Sequence, residues 1–190
     1  MTSARFMAEL KPALPLNVVV VGELNTGRGD LIRTVPFERP SDYYGSRGGG
    51  IGQGLPGAVG YHLAHPDRPL LAISGDGSSL YSIQALWTAA HYRLPIVFII
   101  LNDRSYCIVK VNMDRYRNYF GVNWAQGYPF MDLTDPDIDY VRLAEGFGVP
   151  ARRVVDPLEV GPAVLEAFAR REPYLLEVAI DDGCAPSDPT

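Results

Sequence analysis

The chain has 190 residues, 47% of them hydrophobic and 21% charged, with a net charge of −5, which is the size and balance of one globular domain and excludes a disordered or fibrous class. The longest apolar runs, Val18 to Val21 and Ile96 to Leu101, are far too short to span a bilayer, and the opening segment MTSARFMAELKPALP lacks a signal-peptide layout, so no membrane partner is expected and the cytoplasm is the default location. Nucleic acid is excluded by the absence of clustered Lys and Arg, and two cysteines, Cys107 and Cys184, are too few for a disulfide framework and predict free thiols.

Taken in chain order, SARFMAELKPAL predicts a short amphipathic helix, and NVVVVGE, β-branched without alternation, predicts a buried strand. A turn-rich stretch follows, then the apolar run RPLLAISGDG ending in glycines. SLYSIQALWTAAHYRL comes next, with Leu80, Ile83, Leu86, Trp87 and Ala90 on one helical face. PIVFIILND repeats the strand signal. DYVRLAEGFGV predicts a helix closed by glycine, ARRVV a weaker strand, PLEVGPAVLEAFARR a helix and PYLLEVAID a final strand. Strands that alternate with helices and are apolar throughout imply a parallel sheet covered on both faces, so the fold class is doubly wound α/β, one domain over residues 1–190. The stretch 111–134 shows no helical period; its length and many aromatic residues predict a packed lid.

In open parallel sheets ligands bind beyond the carboxyl ends of the strands, so the residues just after each apolar run are the informative ones. LLAIS is followed by Gly75, Asp76, Gly77 and Ser78, and IVFIIL by Asn102, Asp103, Arg104, Ser105 and Tyr106. If the two strands are neighbours, as one right-handed crossover implies, Asp76 and Asp103 share a crevice. Two carboxylates there would raise one another's pKa unless a cation lies between them. A hard ion such as Mg2+ suits such a pair, filling its remaining positions with waters and phosphate oxygens. The glycines beside Asp76 let the backbone turn sharply, and Ser78 would open the next helix, where N–H groups favour an anion. Taken alone, GDG also fits a simple strand-to-helix turn with a capping aspartate. The second acidic strand end favours the ion site.

The glycine-dense GSRGGGIGQGLPGAVG offers a competing pattern, because Gly52, Gly54 and Gly57 match a dinucleotide fingerprint with Asp76 downstream. That fingerprint needs a strand directly before its glycines, and SDYYGSRGG is a poor one. The alternative is a helix packed closely under a flat ligand, with Pro56 preset for its first turn. His62, His65 and His91 lack partners at metal spacing and read as structural or surface residues. Arg115 and Arg117 are candidates for a substrate carboxylate, although arginines in a long loop more often face solvent.

GDGSSLYSIQALWTAAHYRLPIVFIILND resembles the thiamine diphosphate motif, in which GDG is followed, one helix and one strand later, by Asn-Asn or Asn-Asp. From Val18 to Ile180 the chain is similar to the C-terminal diphosphate-binding domain of benzoylformate decarboxylase and acetolactate synthase-like enzymes. The resemblance implies Mg2+ held by Asp76, Asp103 and the main-chain carbonyl of Ser105. It implies diphosphate contacts from Asn25, Thr26, Gly75, Gly77 and Ser78. Gly49 would meet the aminopyrimidine amino group, Ile51 would be the wedge that bends the cofactor, and Tyr106, Cys107 and Ile108 would continue toward the substrate. Asp103 stands where relatives often have Asn, Cys107 where Gly is common, and Asn112 where the decarboxylase has an aromatic residue.

The family's activating glutamate comes from a separate pyrimidine-binding domain, which nothing here resembles; Glu23, at the GELNTG strand end, is not that residue. The resemblance therefore implies a natural subunit or a cut-out domain whose partner brings the glutamate, in an oligomer acting on a 2-oxo acid or an acyloin as a lyase or carboligase. A non-catalytic cofactor- or partner-binding module is the alternative.

Overall fold

The computed structural model describes residues 1–122 and 127–181. Its elements are α1 (Ser3–Leu10), β1 (Val19–Glu23), α2 (Arg28–Thr34), β2 (Tyr43–Gly45), α3 (Gly54–Ala64), β3 (Leu70–Gly75), α4 (Asp76–Ser79), α5 (Ala85–His91), β4 (Ile96–Asn102), α6 (Cys107–Phe120), α7 (Tyr140–Gly146), β5 (Ala151–Val154), α8 (Val160–Arg170) and β6 (Tyr174–Ala179). The six strands form one sheet in the order β2-β1-β3-β4-β6-β5, and every pairing is parallel.

The unbroken apolar runs follow from cover on both faces. Val97, Ile99 and Leu101 of β4 enter a core with Phe6, Leu10, Leu31 and Val164 from α1, α2 and α8. Ile96, Phe98 and Ile100 enter a second core with Leu55, Leu86 and Ala144 from α3, α5 and α7. The chain passes from β1 outward to β2 and then returns to β3 on the other side of β1. That reversal opens a crevice beyond the carboxyl ends of β1 and β3. Among the described residues no helix is long and apolar enough to cross a membrane.

Three expectations are corrected. Residues 107–120, which include the start of the stretch without helical period, form α6. Only Cys107 and Lys110 of this helix are buried, while Tyr116, Tyr119 and Phe120 face outward, so no apolar stripe marks it. Gly121, left-handed at φ 63°, ends it by returning its N–H to the Arg117 carbonyl. The helix expected over 79–94 is divided, because bonds from Tyr81 N–H to Ser78 and from Ser82 N–H to Ser79 tighten the turn, and the Ser79 hydroxyl donates to the Asp76 carbonyl. In the part that stays helical, Trp87 is exposed and stacks on His91 at the surface. Finally, Cys107 is disulfide-bonded and not a free thiol. β6 ends beside β4, with Ile180 N–H donating to Asn102, so the chain leaves the sheet next to the start of α6. Cys184 lies outside the described residues.

Phe98, fully buried on the central strand β4, is the sharpest test of the double cover. Phe98→Ala should cost about 3–5 kcal/mol in urea unfolding, because the sheet cannot collapse around the lost ring.

Candidate functional site

β3 and β4 pair with Gly75 opposite Leu101, which sets the two chain segments that follow them side by side. The crevice is lined by Asn25, Thr26 and Gly27 after β1, by Gly75, Asp76, Gly77 and Ser78 after β3, by Asp103, Ser105, Tyr106, Cys107 and Ile108 after β4, and by Ile180 after β6. Of the cofactor-site residues expected from sequence, only Gly49 and Ile51 lie elsewhere, in the glycine-rich segment before α3. The dinucleotide pattern loses its support here, because β2 ends at Gly45 and the stretch before Gly52 is not strand.

Asp76 is the first residue of α4, two residues earlier than the helix start expected at Ser78, because Gly75 is extended and ends the strand. Its side chain is 4% exposed. Oδ1 accepts from Gly77 N–H at 2.7 Å, whereas Oδ2 is buried with no hydrogen-bond partner. Burial, and after it the Asp103 charge, pushes this carboxyl up to about 7; the N–H groups of Gly77, Arg104 and Ser105 offset part of the rise. Arg104 N–H donates to Asn102 Oδ1 and Ser105 N–H to Asp103 Oδ1. A buried, unpartnered carboxylate oxygen beside a second carboxylate is a poor place for negative charge and a good one for a divalent cation. Among the described residues no group of three or more His, Cys, Asp or Glu side chains is placed to hold a metal. An ion here would therefore draw its other oxygens from main chain, water or ligand, as Mg2+ readily does.

The surroundings are tightly built. Asn25 Nδ2 donates to the Ser78 hydroxyl at 3.2 Å, tying the β1 and β3 ends together. A Cβ on Gly77 would lie 2.5 Å from the Tyr106 ring, so only glycine fits. The segment after residue 126 packs back on the crevice loop: Tyr106 N–H donates to Met131, Leu133 N–H donates to Arg104, and Ser105 bridges Asp132. Lys110 of α6, itself buried, holds Asp132 by an ion pair at 2.5 Å. The lid expected over 111–134 is thus, over its described part, a helix and a strap. Arg117 is used inside that strap, donating to Gly127 at 2.7 Å and lying over the Tyr128 ring, and so it is not aimed at a substrate. Arg115 is exposed.

Several working residues were missed from sequence. Glu23, 2% exposed at the end of β1, accepts from Gly52 N–H and Gly54 N–H, each at 2.5 Å, and so fixes the glycine-rich segment that carries Gly49 and Ile51. Gly52 is left-handed at φ 91°, and a Cβ on Gly54 would strike the Glu23 side chain. Tyr140 is buried with its phenol raised, first by burial and then by the Asp76 charge. The signal available for Glu23 was a lone acid ending an apolar run.

The Asp76 shift sets a pH window. Its folded value, about 7, lies above the ordinary 3.8, so the metal-free fold holds the extra proton. The associated stability is complete below about pH 4 and is lost as the pH rises toward 7. Asp76→Asn, which imitates the protonated side chain, should match the metal-free wild type near pH 3 and exceed it increasingly toward pH 7.5 in thermal unfolding. Parallel curves for the two proteins would contradict the assignment of the proton to Asp76.

The family described as "Thiamine pyrophosphate enzyme, C-terminal TPP binding domain" matches residues 27–178. The chain is 37% identical over 164 residues to a benzoylformate decarboxylase of Pseudomonas aeruginosa, covering 86% of this chain and 29% of that protein. It is 31% identical over 150 residues to an acetolactate synthase large subunit of Haemophilus influenzae, covering 77% of this chain and 25% of that one. The structure of a thiamine diphosphate-dependent 4-hydroxybenzoylformate decarboxylase from Rhodococcus jostii RHA1 superimposes with a TM-score of 0.85 at 33% identity, covering 95% of this chain and 33% of that one. The chain thus spans about a third or less of the length of these relatives. On the match over most of its length, it belongs to the family of C-terminal thiamine pyrophosphate-binding domains found in thiamine-dependent enzymes.

Proposed function

We propose that the crevice holds the diphosphate of thiamine diphosphate through Mg2+, with Asp76, Asp103 and the Ser105 carbonyl as ligands. Asn25, Thr26, Gly75, Gly77 and Ser78 lie against the diphosphate, and Tyr106, Cys107 and Ile108 extend the site toward substrate. Gly49 and Ile51 serve the aminopyrimidine end. One observation carries the reading: Asp76 Oδ2 is buried without a partner, beside a second carboxylate, at the switch point of a parallel sheet. The open first turn of α6, a helix of 14 residues, faces the same crevice through Cys107 and Ile108 and suits an anion.

The bound cofactor supplies a nucleophilic carbon and an electron sink for cleaving a bond beside a carbonyl. This chain's residues anchor and orient it. Gly77 leaves room against Tyr106, and Glu23 holds the glycine-rich segment in place. On this reading the chain is the diphosphate-binding part of a 2-oxo acid decarboxylase or carboligase, a lyase resembling benzoylformate decarboxylase. A pyrimidine-domain partner brings the activating glutamate, and the working form is an oligomer. Glu23 is not that glutamate, because both of its oxygens are engaged by backbone N–H groups.

Isothermal calorimetry should detect Mg2+-dependent binding of thiamine diphosphate to the wild type, and Asp76→Ala should abolish it. An unchanged affinity would defeat the assignment. Turnover of benzoylformate should appear only when a pyrimidine-domain chain is added; a chain that binds the cofactor yet stays inert with every such partner would favour a non-catalytic module.

A further inference from the structure

We propose that Glu177, which does not line the crevice, is a positioning residue for the ion-binding loop: through Asn102 it fixes the backbone that presents Ser105. This rests on the reading of the crevice as a divalent-ion site and extends it to residues outside the crevice.

Glu177 lies on β6 opposite Ile100 of β4, 2% exposed in a strand that is otherwise apolar. A charge in a strand covered on both faces is retained only with partners for both oxygens. Oε2 accepts from Arg153 Nε at 3.0 Å, and Arg153, half-exposed on the edge strand β5, carries the balancing charge out to water. Oε1 accepts from Asn102 Nδ2 at 2.7 Å.

The direction of that second bond matters. A carboxylate only accepts, so Asn102 must turn its amide nitrogen toward Glu177, and its oxygen is then aimed at the loop. There Oδ1 accepts from Arg104 N–H at 3.0 Å. Arg104 is left-handed at φ 60°, a conformation a side-chain-bearing residue takes only when its surroundings hold it there. The next N–H, that of Ser105, closes on Asp103 Oδ1 at 3.0 Å. A relay from Arg153 through Glu177 and Asn102 therefore ends at the residue just before Ser105 and just after Asp103. Neither Arg153 nor Glu177 lines the crevice, so neither touches an ion there, and the backbone they hold is reached through this relay.

Glu177→Gln breaks the logic while nearly keeping the shape. The single oxygen of the introduced amide is claimed by Arg153, the stronger donor. Its nitrogen then faces Asn102, which must flip to offer oxygen and so turns its own amide against Arg104 N–H, donor to donor. Asn102→Asp combined with Glu177→Gln rebuilds every bond: the introduced glutamine donates to the new carboxylate and accepts from Arg153, and the carboxylate accepts from Arg104 N–H. The measurements are amide hydrogen exchange on the ligand-free full chain and Mn2+ titration by electron paramagnetic resonance in the presence of thiamine diphosphate.

Glu177→Gln should speed exchange at Arg104 by about tenfold or more relative to the amides of β1 and β3, and should weaken Mn2+ binding by about tenfold, the usual scale for groups that orient a metal ligand. The paired substitution should restore Arg104 protection. Should Glu177→Gln fail to fold, Asn102→Ala cuts the same link, leaves the Glu177–Arg153 pair in place and should give the same two changes. Unchanged exchange at Arg104, unchanged Mn2+ affinity, or failure of the paired substitution to restore protection would each overturn the relay. Absence of Mn2+ binding by the wild type would instead remove the ion-site reading on which the relay stands, a failure distinguishable from the others.

Discussion

The structure turns on one electrostatic problem: the Asp76 carboxylate is buried at the tip of β3, faces the charge of Asp103 at the tip of β4, and has one oxygen without a partner. A parallel sheet covered on both faces leaves its strand ends as the place where polar chemistry can emerge. The pairing of β3 with β4 places two acids at adjoining ends. In water such a pair would repel weakly; in a crevice lined by Leu101, Tyr106 and Ile180 the repulsion is stronger, and it is most directly relieved by a cation.

That arrangement depends on the loop after β4, because the course of this loop sets where the Asp103 charge lies relative to Asp76. The loop is held from both sides. Asn102 and Asp103 satisfy its N–H groups from within. From outside, the strap residues Met131, Asp132 and Leu133 pair with Arg104, Ser105 and Tyr106, and Lys110 locks the strap onto α6. α6 contributes little to either core. Its role lies in carrying Cys107 and Ile108 to the crevice and Lys110 to the strap.

The strands and the meeting of Asp76 with Asp103 were legible because continuous apolar runs signal double cover, and double cover puts ligands at the strand ends. α6 was not legible: a helix that buries only Cys107 and Lys110 has no apolar period. The half-turns after Ser79 were hidden for a related reason, since serine hydroxyls that bond backbone carbonyls compete with helix without changing the hydrophobic pattern. Glu177 was visible as a single acid inside YLLEVA, yet its meaning needs the strand order, because only the pairing of β6 with β4 brings it to Asn102. Cys107 reads as a free thiol because two cysteines in a chain of this length are too few to announce a disulfide framework.

Glu23 and Glu177 solve the same problem at two ends of the site. Each is a carboxylate 2% exposed on an otherwise apolar strand, and each directs its oxygens at groups that shape a neighbouring segment and not at the crevice. Glu23 gathers the N–H groups of Gly52 and Gly54; Glu177 turns Asn102 toward Arg104. Buried charge of this kind gains little net stability over an apolar replacement, but it is directional in a way that apolar packing is not. The two glutamates therefore shape segments beside the crevice without lining it, while Ile51, 41% exposed on the segment that Glu23 anchors, presents an apolar side chain that packing within this chain does not explain.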